Sequence, residues 1–160
     1  MSPTSLTAAN AACHEHFAAL IEDALVALTA LEFQRADVLW SELGALVAAH
    51  QEVEEALLAA LPSDFKAPRG GSPSLVLAEH RRLNELHASV SAKVKSLSEV
   101  PEPDRRRAMV KSLDDVLRVQ HLLDHHGERE QKIVYPHLDA CLDPAVSERA
   151  GRQLRLALRH

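Results

Sequence analysis

Aromatic side chains are scarce in this chain, 3% of 160 residues, and its 46% apolar content is dominated by alanine and leucine. That balance disfavours strand and favours helix. Cysteine is nearly missing as well: Cys13 and Cys141 are too few for a disulfide scaffold and match no paired spacing for zinc. Positive charge is not in excess. The formal charge of −5 and a pI near 6.0 give no electrostatic case for DNA, RNA or an anionic membrane as partner. No stretch approaches the ~20 apolar residues of a membrane span, and residues 1 to 15 lack the basic and apolar regions of a signal peptide. The expected setting is cytoplasmic, without nucleic acid or membrane as partner. Five glycines and eight prolines leave few breakers, and the length suits a single domain over 1–160.

What the chain has in excess is histidine, ten in all. The breakers divide it into five segments, each with the 3.6-residue period of an amphipathic helix. The first runs from about Asn10 to Ala30 on a stripe of Phe17, Leu20, Ala24, Leu25 and Leu28. The second runs from about Ala36 to Leu61, with Trp40, Leu43, Val47, Leu57 and Leu61, and ends at Pro62. After the loop PSDFKAPRGGS, Ser72 followed by Pro73 starts a third helix that continues to about Leu97. The fourth runs from about Asp104 towards Pro136, with Val116, Val119, Leu122, His126, Glu130 and Ile133 near one side. Asp143 and Pro144 open a last short helix, where Arg149, Arg152, Arg155 and Arg159 balance Val146, Leu154 and Leu158.

Four helices of this length with short connections pack most economically as an up-down-up-down four-helix bundle, here with a short C-terminal extra helix. In that all-α topology the starts of the first and third helices meet the ends of the second and fourth. His16, His50 with Glu54, His80, and His126 with Glu130 then fall at one end, level to within roughly two turns. Residues four apart share a helix face, so each His-x-x-x-Glu pair presents an imidazole and a carboxylate to one interior point. Four nitrogens and two carboxylates suit two metal ions bridged by carboxylates, and this donor set favours iron, manganese or zinc over calcium, magnesium or copper(I). The bridges would also offset the cost of burying Glu54 and Glu130. His14 competes with His16 for the first position, and His125 with His126 for the fourth. The bland alternative is an ordinary bundle with histidine-rich edges, since roughly one such pair is expected by chance.

The segments HQEVEEALLAALP and HHGEREQKIVYP resemble the two His-x-x-x-Glu segments of hemerythrin-like, or HHE cation-binding, domains. Glu15-His16 and Glu79-His80 resemble their single-histidine helices, and the likeness spans residues 10 to 140. It implies a non-haem di-iron centre in which His16, His50, His80 and His126 are terminal ligands and Glu54 and Glu130 are bridges. Oxygen-carrying hemerythrins have a further histidine and a bridging aspartate where this chain has Asn84 and Gln131. The departure moves the expectation from reversible oxygen carriage towards the four-histidine, two-glutamate group, which includes iron sensors and di-iron proteins of iron-sulfur repair.

The expected function is therefore binding or sensing of O2 or NO at two iron ions, with manganese or zinc as substitutes. The alternatives are di-iron redox or repair chemistry and a metal-free helical interaction module. No Glu-x-x-His pair of the ferritin-like kind, no His-Glu-x-x-His zinc site and no P-loop is present. Nothing marks a substrate pocket or an acid-base pair, so the chain is read as a binding protein rather than an enzyme. Oligomeric state stays open, a homodimer included. His87, His121, His125 and His137 are read as core, supporting or surface groups.

Overall fold

A computed structural model describes residues 5–158, and every described secondary-structure element is helical. The elements are α1 (Leu6–Thr29), α2 (Phe33–Ala59), α3 (Pro73–Leu97), α4 (Glu102–Arg129), a π turn (Glu130–Val134), α5 (Tyr135–Cys141) and α6 (Pro144–Ala157). Among the described residues no helix is long and apolar enough to cross a membrane. Arg159, expected in the last helix, lies outside the described residues.

Helix starts follow local chemistry. The Ser5 hydroxyl accepts from the Ala8 amide at 3.2 Å, Ser72 from Leu75 at 3.3 Å, and the Asp143 carboxylate from Ala145 at 2.7 Å. Asp139 of α5 also accepts from the Leu6 and Thr7 amides, at 3.1 and 3.2 Å, and from the Thr7 hydroxyl at 2.9 Å. This carboxylate at a helix N-terminus, supplied from far along the chain, starts α1 four residues before the expected Asn10. Leu31, at φ +63°, takes the left-handed turn between α1 and α2 that glycine would adopt without strain.

α1 packs on α2 and α4, α2 on α3, and α3 on α4, while α6 closes over α1 and α2. The core between them holds Phe17, Ile21, Leu28, Leu43, Leu83, Val116 and Leu154, all nearly inaccessible. Trp40 is part of this core, as its place on the apolar stripe implied. It stacks on His87 with centroids 5.1 Å apart and planes 4° apart, its indole N–H donates to the His87 carbonyl, and His87 Nε2 donates back to the Trp40 carbonyl at 2.9 Å. Gly44 makes the room, because a Cβ there would lie 2.8 Å from His87 Nε2.

The fourth helix differs from expectation in phase and in length. Leu123, not Leu122, is on its buried stripe with Val116, Val119 and His126. It does not stop before Pro136. At Glu130 the backbone widens into a π turn, closed by the Tyr135 amide donating to the Glu130 carbonyl five residues back. A proline ring normally clashes with the carbonyl four residues earlier, and the wider turn places Pro136 instead in the first turn of α5. The added residue rotates the chain beyond it, so Val134, Tyr135 and Leu138 are buried while Ile133 is only half-buried, against Gly70 and Gly71.

Candidate metal centre

Six side chains converge between α1, α2, α3 and the α4–π junction. His50, Glu54, His80, His126 and Glu130 are each at most 2% exposed, and His14 reaches the cluster with a side chain 17% exposed. Their donor atoms fall into two groups. Glu54, His80, His126 and Glu130 form one, His14, His50 and Glu130 the other, with atoms in each within 4.8 Å of one another. Glu130 belongs to both. One oxygen lies 2.7 Å from His14 Nε2 and 3.4 Å from His50 Nε2, and the other lies 2.5 Å from His126 Nε2. Glu54 Oε2 is 3.0 Å from His80 Nε2, 3.9 Å from His126 Nε2 and 4.0 Å from His50 Nε2.

His16 is the sequence-derived candidate that the structure leaves out, and His14 takes the position from α1. The two residues sit about 200° apart around the helix, on opposite flanks of the Phe17 stripe. Only the flank of His14 faces α4, where Gly127 admits the ring. A Cβ at Gly127 would lie 2.5 Å from His14 Nδ1 and 2.9 Å from its Cγ and Cε1. Beside it a cleft of about 200 Å³ opens between α1 and α4, lined by His14, Phe17, Ile21, Leu123 and Gly127 among others, so this is the side from which solvent reaches the cluster. A surface cavity of about 460 Å³ lies around the α1–α2 turn and Arg105 and includes none of the six residues.

An outer ring of carboxylates orients two of the imidazoles. His80 Nδ1 donates to Glu55 at 2.8 Å, and His126 Nδ1 donates to Glu79 at 2.9 Å. With Nδ1 turned outward to its carboxylate, each Nε2 is directed into the cluster, the orientation of metal-bound histidines. Glu79 is itself held by Arg129, whose Nε and Nη2 lie 3.1 and 3.0 Å from the same oxygen, and Arg129 Nη1 donates to the Gly70 carbonyl at 3.2 Å. Gly70, at φ +82°, permits that turn. The loop after α2 thus acts through Arg129 and Glu79 on His126. Glu55, Glu79 and Arg129 were not anticipated from the sequence, because on their own helices they lie off the buried stripes.

The cluster is under-satisfied by the protein alone. His50 Nδ1 and Nε2, Glu54 Oε1, His126 Nε2 and Glu130 Oε1 are buried without an aligned hydrogen bond, and so is the Tyr135 hydroxyl. Donor atoms brought this close but not hydrogen-bonded, at a cost of about 1–3 kcal/mol each, fit a site whose lone pairs converge on a cation. This buried His/Glu cluster can hold a metal ion.

Protonation divides the acids. Burial, and next the charge of Glu130, push the Glu54 carboxyl well above the ordinary range. Burial acts on Glu130 the same way but is outweighed by His50 and His126, which hold it well below. Burial opposes the charge on His126, yet Glu130, Glu79 and Glu54 prevail and its pKa is pushed up to about 10. Burial depresses His80, in spite of Glu55, and so favours the neutral ligand form. Cys13 donates weakly to the Leu154 carbonyl, and burial, then Glu130, lift its thiol to about 11, so it offers no thiolate.

The other histidines serve elsewhere. His137 packs edge-on against Phe65 at 5.3 Å, while His121 and His125 lie exposed on α4. Compared with protein-family models, with curated proteins and with solved structures, the chain matches none of them.

Replacing Glu79 by glutamine should keep the shape of the outer ring while weakening its hold on the His126 Nδ1 proton. Metal affinity, measured by competition with a chromophoric chelator, is expected to fall about 10–100-fold. An unchanged affinity would mean that this ring does not orient a ligand.

Proposed function

We propose that the chain is an up-down-up-down four-helix bundle of the hemerythrin-like kind that holds two non-haem iron ions and binds or senses a diatomic ligand, O2 or NO. The bundle reading is supported by the closed cycle of neighbours from α1 through α4, and by ligands drawn from early in α1 and α3 and late in α2 and α4. The metal reading rests above all on one observation: Glu55 and Glu79 accept from Nδ1 of His80 and His126, which turns the Nε2 atoms of both rings towards Glu54 and Glu130. His14 and His50 would serve one ion, His80, His126 and Glu54 the other, and Glu130 both. Imidazole with carboxylate favours iron, with manganese or zinc as substitutes. Ions short of a full protein donor set would supply open positions for a small ligand and electrons to it. The chain's own part is to hold the donors, exclude bulk water with Phe17, Ile21 and Leu123, and leave the cleft beside His14 as the approach.

The test is elemental analysis after anaerobic iron loading and desalting, with the visible spectrum recorded before and after air. About two irons per chain and a new band on oxidation support the proposal. A folded chain with no retained iron would overturn it.

The pKa directions add a second expectation. In the metal-free cluster burial raises Glu54, and its carboxylate neighbours raise His126, above their unfolded values. The native state then binds more protons than the unfolded one, and stability falls as pH rises, for His126 through about 10. Metal uptake must displace the same protons. Loading should therefore release protons near pH 7, that of His126 among them, and weaken in acid, as recorded in a weakly buffered titration. Metal-loaded protein should keep its melting temperature at alkaline pH where the metal-free chain loses it.

A further inference from the structure

We infer that His121 and His125 form a separate surface site on α4 for one late divalent transition ion, such as zinc or copper(II). The two residues are exposed and four apart, their rings stand edge to face with centroids 4.3 Å apart, and their Nε2 atoms are 3.1 Å apart. Two nitrogens each about 2.0–2.1 Å from one ion, at that separation, subtend an angle of about 100°. This value lies between the right angle of octahedral and the wider angle of tetrahedral coordination, so both rings can bind the same ion with little movement.

The surroundings set the character of the site. The rings form one wall of an open groove of about 400 Å³ that also includes Asp114, Leu117, Arg118 and Leu122. Of the flanking acids, Asp114 pairs with Arg118 at 2.7 Å and Glu128 with Lys132 at 3.0 Å, while Asp124 lines the neighbouring cleft beside His14 and is not part of this groove. Two imidazoles without a carboxylate select zinc, nickel or copper(II) over magnesium or calcium. Water must fill the remaining positions, so the ion exchanges readily, unlike one enclosed by the buried cluster. The site uses the outward face of α4 and stands whether or not the cluster inside binds iron.

Equilibrium dialysis of the untagged chain against zinc, compared with the double variant His121→Ala, His125→Ala, tests the assignment. The wild-type chain should take up about one more zinc ion per chain, in a weak class stripped by a mild chelator, and ring resonances of both histidines should move with zinc. The double variant should lack that class and keep its circular-dichroism melt, since both positions are exposed. A tight class retained by both proteins belongs to the buried cluster, and its absence would count against that cluster alone. Identical zinc isotherms for the two proteins would overturn the surface site and reduce the ring contact to an imidazole–imidazole hydrogen bond.

Discussion

Replacing Glu130 by alanine should both abolish paired metal binding and destabilise the metal-free chain by about 3–5 kcal/mol, the range for leaving a buried charge without its partner. Glu130 is fully buried, 2.5 Å from His126 and 2.7 Å from His14, and is the one residue common to both donor groups. Its removal strands the charge that it maintains on His126. Glu54→Gln should behave differently. In the metal-free chain Glu54 is the carboxyl that burial keeps protonated, and a neutral amide of similar shape imitates that form. Metal-free stability should then stay within about 1 kcal/mol while metal binding is lost. Urea melts of both variants without metal, with metal content after loading, make the comparison. Equal destabilisation by the two substitutions would refute the division of charge between the carboxyls.

The second large effect concerns Gly127. Alanine there gains about 1 kcal/mol of helix propensity, but its Cβ would collide with the body of the His14 ring. Overpacking costs about 1–3 kcal/mol, and relief requires His14 to leave Glu130. The variant is expected to be destabilised and to lose metal from the group containing His14 and His50 first. With His14→Ala as background the collision disappears, and Gly127→Ala should become stabilising. A double-mutant cycle reads that change of sign, and additive effects would show that Gly127 has no part in seating His14.

These residues also show where sequence reasoning reached and where it stopped. His50 with Glu54, and His126 with Glu130, were legible because a spacing of four fixes a shared face whatever the tertiary packing. His80 was placed with them by topology, near the start of the third helix, which the bundle brings to the ends of the second and fourth. His14 and His16 could not be separated in that way: they flank the stripe almost symmetrically, and the choice depends on which neighbour lies on which side. The available hint was Gly127, a poor helix former inside the HHGEREQ cluster that matches a large ring opposite. Glu55 and Glu79 reach imidazoles on neighbouring helices, a relation set by helix rotation and height rather than by spacing along one helix. Ser72 and Asp143 were legible as helix starts, whereas Ser5 was not, and Asp139 caps α1 from more than 130 residues away. The π turn left no mark in the apolar period, and for that reason the fourth helix was expected to end at Pro136.

That turn makes chain length near the cluster a matter of screw phase. Tightened to the α period with its residue count kept, the segment would leave Glu130 on the inner face and turn everything beyond it by about 100°. Tyr135 and Leu138 would swing out of the core, and Asp139 would lose its register with the start of α1. One residue deleted between Gln131 and Val134 would instead let α4 run on unbroken with both flanks in phase, because four α residues turn the chain about as far as the five of the π turn. The spare residue works like a key cut for two locks, seating a carboxylate among histidines at one end and a fully buried tyrosine at the other.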